Sequence, residues 1–142
     1  MKPTLVRLTV IVPLFLCTLA FAGDVPKAVQ QAFETRFRNA TNITWDRENT
    51  HEFEAAFEWN GSKHSATFSD SGEWRETESA STFSRLPPKV QEAYNANHKG
   101  SKVKAVAVIE TSKGISKYEI EIAKGSKTVE LFYDGDGNGL NQ

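Results

Sequence analysis

The sequence predicts an α+β fold: a tandem repeat of one helix plus three or four antiparallel strands, with the helices packed on one face of a curved antiparallel sheet. Three observations carry this. In Glu52–Trp59 the residues Phe53, Ala55, Phe57 and Trp59 alternate with Glu52, Glu54, Ala56 and Glu58, the period-2 pattern of a strand with one buried face. Asn60-Gly61 follows, two residues that accept the positive φ of a tight hairpin turn, and Lys63–Ser69 carries the alternation back. The pattern then returns. Leu86-Pro87-Pro88-Lys89-Val90-Gln91-Glu92-Ala93-Tyr94 echoes the nine residues from Val25 to Phe33, 61 positions on, and Lys117–Ile122 alternates as Glu52–Trp59 does, 64 or 65 positions on.

Taken in order, Asp24 and Pro26 suit the first turn of a helix, and Val25, Val29, Ala32, Phe33 and Phe37 fall on one helical face. Asn39–Asn42 ends it, and Ile43–Asp46 reads as a short strand before the hairpin. After the Asp70-Ser71-Gly72 turn, Glu73–Ser79 is a weaker, polar strand, expected at a sheet edge, with Glu76 and Glu78 on the side of Trp74. A Ser/Thr-rich connection leads to the second helix, then to strands at Val103–Glu110, Lys117–Ile122 and Lys127–Tyr133. The two repeats span about 24–80 and 85–140, in one domain at 23–142. Alternation puts Glu52, Glu54, Glu58, Lys63, Thr67, Lys117, Glu119, Glu121 and Lys127 on the face away from the helices, toward water.

Residues 1–22 read as a cleaved signal peptide: basic Lys2 and Arg7, an apolar run from Leu8 to Ala20, and Ala20-Phe21-Ala22 as the small-x-small cleavage pattern. The run falls short of the roughly 20 residues a membrane span needs, so no span is expected after cleavage, with a retained anchor as the alternative. Cys17 is the sole cysteine and lies inside the run, which leaves the mature chain without disulfides or thiolate metal sites. Removing Lys2 and Arg7 lowers the basic count from 17 to 15 against 18 acidic residues, a net charge of about −3. This is no footprint for nucleic acid. The expected location is the bacterial periplasm or the secreted fraction.

The chemistry-bearing motifs are few. Asp134, Asp136 and Asn138 match the start of a calcium loop, but that loop ends on a glutamate at its twelfth position and the sequence supplies no such residue, so a polar turn is expected. His51, His64 and His98 show no paired metal spacing; His64 is expected as a core or rim residue. There is no nucleophile elbow and no phosphate-cradling glycine loop. No cofactor, metal or catalytic residue is expected, and the chain is not expected to be an enzyme.

The doubled helix start, the Trp45-Asp46 strand, the Phe68–Glu78 stretch (FSDSGEWRETE) and the terminal Tyr133-Asp134-Gly135-Asp136-Gly137 resemble the PepSY-like family, exported bacterial proteins grouped with beta-lactamase-inhibitor protein. The resemblance covers nearly all of Asp24–Leu140 and implies helices on one side of a curved sheet whose open face grips a partner. Unlike the inhibitor, which relies on disulfides, this chain has none to offer after cleavage, and no inhibitory residue maps onto it.

The expected function is an exported, non-enzymatic binding module for a protein or peptide of the cell envelope, inhibitor-like by the resemblance. Glu52, Glu54, Glu58, Thr67, Glu119 and Glu121 would form the contact face, with Trp74 as the aromatic anchor. The alternatives are that the charges only solubilise the sheet, or that the protein is a structural or envelope-stress component contacted at its edges, with no small-molecule chemistry.

Overall fold

A computed structural model describes residues 24–114 and 116–141. Helix α1 (Lys27–Arg36) leads into strands β1 (Thr41–Asn49), β2 (Glu52–Trp59), β3 (Ser62–Ser69) and β4 (Trp74–Ala80). A short 3₁₀ turn (Phe83–Arg85) precedes helix α2 (Pro88–His98), followed by β5 (Lys102–Thr111), β6 (Ser116–Lys124), β7 (Lys127–Tyr133) and β8 (Gly139–Leu140). The strands form one antiparallel sheet in sequence order, β1 through β8. The fold is therefore α+β, as expected, though β1 runs longer than the predicted Ile43–Asp46 and β8 was not foreseen. The signal-peptide expectation falls on residues outside those described.

Local chemistry accounts for the elements. Asn60 and Gly61 both take positive φ, 50° and 78°, which matches the twist a two-residue hairpin demands. Pro87 caps α2 and Pro88 opens it, where a missing N–H costs no hydrogen bond. Pro26 sits just before α1 rather than within its first turn.

Both helices cover the same face. Val29, Phe33 and Phe37 pack on Phe53, Ala55, Phe57, Ala66 and Phe68, with Phe33 edge-on to Phe57 at 4.9 Å. Val90 and Tyr94 pack on Val106, Ile120, Ile122 and Tyr133. The strand register joins these patches, since Ala66 pairs with Thr77, and Ser79, two residues on, pairs with Val108 and so with Tyr118 and Tyr133. His64 lies at the rim of the first patch, stacked on Phe57.

The strand expected at an edge is central. β4 lies between β3 and β5, and the outer strands are β1 and β8. Its register slips at Arg75: Trp74 pairs with Phe68, yet Glu76 pairs with Thr67. The bulge places Trp74 on the helix side and Glu76 and Glu78 on the other, correcting the expectation that the three share a side.

Two turns seat against the helices through glycine. At Gly72 (φ +88°) a Cβ would lie 2.7 Å from the Ala28 carbonyl oxygen, and at Gly137 (φ +82°) 2.5 Å from that of Lys89. At Gly125 (φ +62°) a Cβ meets open space. Gly72→Ala and Gly137→Ala are each expected to cost ~1–3 kcal/mol in urea unfolding through left-handed strain, plus the displacement of the helix start. Gly125→Ala, strained but unobstructed, is expected to cost less than either; equal losses at all three would show that the helix contact is immaterial.

Candidate functional site

The helix-free face is built by register. One row across it runs Asp46, Glu54, Thr67, Glu76 and Thr111, and the next Thr44, Ala56, Ser65, Glu78, Ile109 and Lys117. A third joins Ala80, Ala107, Glu119, Phe132 and Leu140, and a fourth Ala105, Glu121 and Glu130. A second bulge, between Val103 and Ala105, keeps Val103 with Ile122 on the helix side while Ala105 faces Glu121. A third, between Arg47 and Asn49, leaves Glu48 unpaired in β1.

Of the expected contact residues, Glu54, Thr67, Glu119 and Glu121 come together here. Glu119 and Glu121 do not point into water as the alternation implied: they are 3% and 7% exposed. Among the described residues no helix lies over them, and Phe132 and Ala107, Glu119's strand partners on the same face, are also buried. Glu52 is engaged at the margin by Asn49 (2.6 Å) and Arg75 (3.8 Å). Glu58 is exposed and accepts from Asn42 at 3.1 Å. Lys63 and Lys127 are exposed, and Lys117 is half-buried two residues before Glu119.

Trp74 is not part of this face. It is half-buried against the first helix patch, with the Arg36 guanidinium 3.4 Å from its ring centre and its indole N–H donating to Thr77 Oγ1 at 2.9 Å. A shallow depression of about 430 Å³ beside α1 reaches it, lined by Gln31, Ala32, Thr35, Arg36 and Phe68. Trp74 therefore stands on the opposite face of the sheet from the glutamates it was expected to anchor.

Near the C-terminus, the oxygens a calcium loop would use are engaged internally. Asp134 accepts from the backbone N–H groups of Asp136 and Asn138 and from the Asn138 side chain, each at 2.9 Å, and Asp136 pairs with Lys89 at 2.5 Å. The Asn138 hydrogen bonds hold the Asp134 carboxyl below its ordinary range.

Alternation alone did not identify Glu48, Glu76, Glu78 and Glu130 as members of the face. Burial lifts Glu48 to about 7, assisted by Glu54, Glu52, Asp46 and Glu76. Glu54 is raised by burial, partly offset by a hydrogen bond from Ser65. Glu78 and Glu119 share a hydrogen bond and are both raised, first by burial and next by other carboxylates. Such a pair holds a proton where isolated glutamates have lost theirs.

The sign of the pH dependence follows. A carboxyl raised in the fold is protonated where the unfolded chain's is not, so the native state binds more protons above the ordinary value of 4.5 and up to the raised value, about 7 for Glu48. Stability is lost as pH rises through that window. In chelator-treated buffer the protein is expected to be about 1–3 kcal/mol more stable at pH 5 than at pH 8, with solvent screening limiting the share of half-exposed Glu48. A Glu48→Gln/Glu78→Gln variant should show a flatter profile in thermal melts. Stability that rises from pH 5 to pH 8, or an unchanged slope in the variant, would contradict this account of the face.

Comparison with known proteins agrees with the architecture. A family model described as "Putative beta-lactamase-inhibitor-like, PepSY-like" matches residues 51–141. A DUF2874 family protein from Bacteroides ovatus is similar at 25% identity, over 84% of this chain and 87% of its own, with a TM-score of 0.73. A structure from Bacteroides eggerthii described as "putative periplasmic proteins" superposes with a TM-score of 0.77 at 21% identity, over 84% and 88%. A BLIP-like protein from Bacteroides fragilis does so with a TM-score of 0.70 at 23% identity, over 84% and 86%. At those two identities the likeness is one of fold. No curated protein sequence matches the chain. Among the described residues no helix is long and apolar enough to cross a membrane. With a family model spanning β2 to the end of the sheet, the chain belongs to the PepSY-like, beta-lactamase-inhibitor-like family.

Proposed function

We propose that this chain is an exported, non-enzymatic binding module whose helix-free sheet face receives a lysine- or arginine-rich segment of a protein or peptide in the cell envelope. The observation that carries the reading is the band of Glu54, Glu76, Glu78, Glu119 and Glu121 across β2 to β6 on one face. Buried like charges cost folding free energy, and a basic partner would offset that cost by pairing with carboxylates already held in place. The BLIP-like neighbour supports a protein-binding use of the fold; inhibition would be the special case in which the basic segment belongs to an enzyme. In the same reading residues 1–22 are the export signal, and the echo of helix and hairpin reflects duplication of a helix-and-strands unit.

A second reading has one observation in its favour: Ile43 on the outer strand β1 is 42% exposed, a point where a partner's strand could add to the sheet edge.

Fluorescence anisotropy with a labelled lysine/arginine-rich peptide and an acidic control separates the readings. The basic peptide is expected to bind, less tightly as salt rises, and roughly tenfold or more weakly to a Glu54→Gln/Glu76→Gln/Glu78→Gln variant, the loss of one or two charge-assisted contacts. Because the face carries protons near neutrality, binding at pH 7 should release them, seen calorimetrically as a dependence on the buffer's ionisation heat. Equal binding of both peptides, or an unaltered affinity in the variant, would sink the sheet-face reading; weakened binding only in Ile43→Lys would move the site to the edge.

A further inference from the structure

We infer that Glu119, Glu121 and Glu130 form a calcium site at the β6–β7 end of the helix-free face; it shares Glu119 and Glu121 with the acidic band of the binding-module reading, but calcium alone, without a basic peptide, reads it out. Glu119 and Glu121 stand two residues apart on β6, and Glu130 on β7 is the register partner of Glu121. One carboxylate oxygen from each lies within 4.8 Å of the others. Calcium takes oxygens at about 2.3–2.6 Å, so oxygens on opposite sides of one ion are separated by up to about 5 Å, and all three fit a single coordination sphere.

Proximity of acidic residues alone would mean little. The second observation is Glu119 Oε2, which is wholly enclosed and accepts no hydrogen bond, in a residue that is 3% exposed. A buried carboxylate oxygen without a donor is costly, and a hard cation among the three carboxylates is the partner that meets it. Glu78, hydrogen-bonded to Glu119, holds that carboxyl from the side away from β7, the supporting contact that metal ligands need. Three carboxylates and no nitrogen or sulfur suit calcium over zinc. Calcium's longer bonds and loose geometry also suit groups fixed on a sheet better than magnesium's strict octahedron.

The test is calorimetric titration of calcium into the chelator-treated protein at pH 7.5, with melting curves alongside. One calcium per chain is expected, with a Kd on the order of 10⁻⁴ to 10⁻³ M, the range of extracellular modules, and a rise in Tm at saturation. Magnesium should bind at least tenfold more weakly. Glu121→Gln/Glu130→Gln and the milder single Glu119→Gln should each lose the calcium-induced rise. Both are expected to melt no lower than wild type in chelator, since glutamine removes repulsion. Asp134→Asn/Asp136→Asn should keep the rise. No binding by wild type, equal magnesium affinity, a rise retained in the glutamine variants, or a rise lost only in the aspartate variant would each overturn the assignment; the wild-type titration decides even if a variant fails to fold.

Discussion

A sheet of eight strands with helices on only one side must protect its other face with its own side chains. In this protein the constraint organises everything else. The helix side is conventional: Phe33 and Phe37 over β2 and β3, Val90 and Tyr94 over β5 to β7, two aliphatic and aromatic patches joined across β4 by Thr77 and Ser79. Opposite them, among the described residues, there is no second layer. A polar, hydrated surface would meet the constraint, and that is how the β1–β3 end meets it, with Ala56, Glu58 and Lys63 exposed. At the β6–β7 end the same face closes over carboxylates, so Glu119, Glu121 and Phe132 are all buried without a helix above them.

Which side chains reach that face depends on register slips in β1, β4 and β5. Simple alternation would put Trp74, Glu76 and Glu78 together, and Val103 with Ala105. The bulge at Arg75 instead gives Trp74 to the aromatic core, where Arg36 stacks on it, and releases Glu76 and Glu78 to the far side. The slip near Lys104 sets Ala105 opposite Glu121, where an unbroken register from Val103 and Ile122 would set Lys104, and the one after Arg47 leaves Glu48 among Glu52, Glu54 and Asp46. One inserted residue inverts every later side chain on a strand. The acidic face is thus a product of bulges as much as of composition.

The same fact sets what could be read from the sequence. Strands of uninterrupted period, β2, β3 and β6, were legible together with their faces, and so were both helices, the Asn60-Gly61 hairpin and the α+β class. The glutamates of β2 and β6 were placed on the correct face for the same reason. Trp74 was misplaced because a bulge in a polar strand leaves no break in hydrophobic period to detect. The burial of Glu119 and Glu121 was illegible for another reason: glutamate alternating with isoleucine looks identical whether water or Phe132 and Ala107 lie beside it. Burial of a polar face is a property of cross-strand neighbours, fixed by register with β5 and β7, and a single strand's sequence does not contain it. At Asp136 the structure adds a contact with Lys89, 47 residues away, that the residues of the turn do not contain.

Stability alone does not account for the arrangement. Isoleucine or threonine at positions 119 and 121 would cover the sheet without desolvating a charge, and β6 already uses isoleucine at 120 and 122 on its other side. Buried like charges raise one another's proton affinity and oppose folding at neutral pH. In a chain whose other elements agree with their local preferences, such a departure marks the place where something other than folding has set the residues. A proton shared by Glu78 and Glu119 relieves part of the cost, but it leaves Glu119 Oε2 enclosed without a donor. A hydrogen-bond donor or a cation at that oxygen would relieve the rest. In the readings proposed above, such a group comes from outside the chain: a cation at the β6–β7 end and, across β2 to β4, a partner rich in basic side chains.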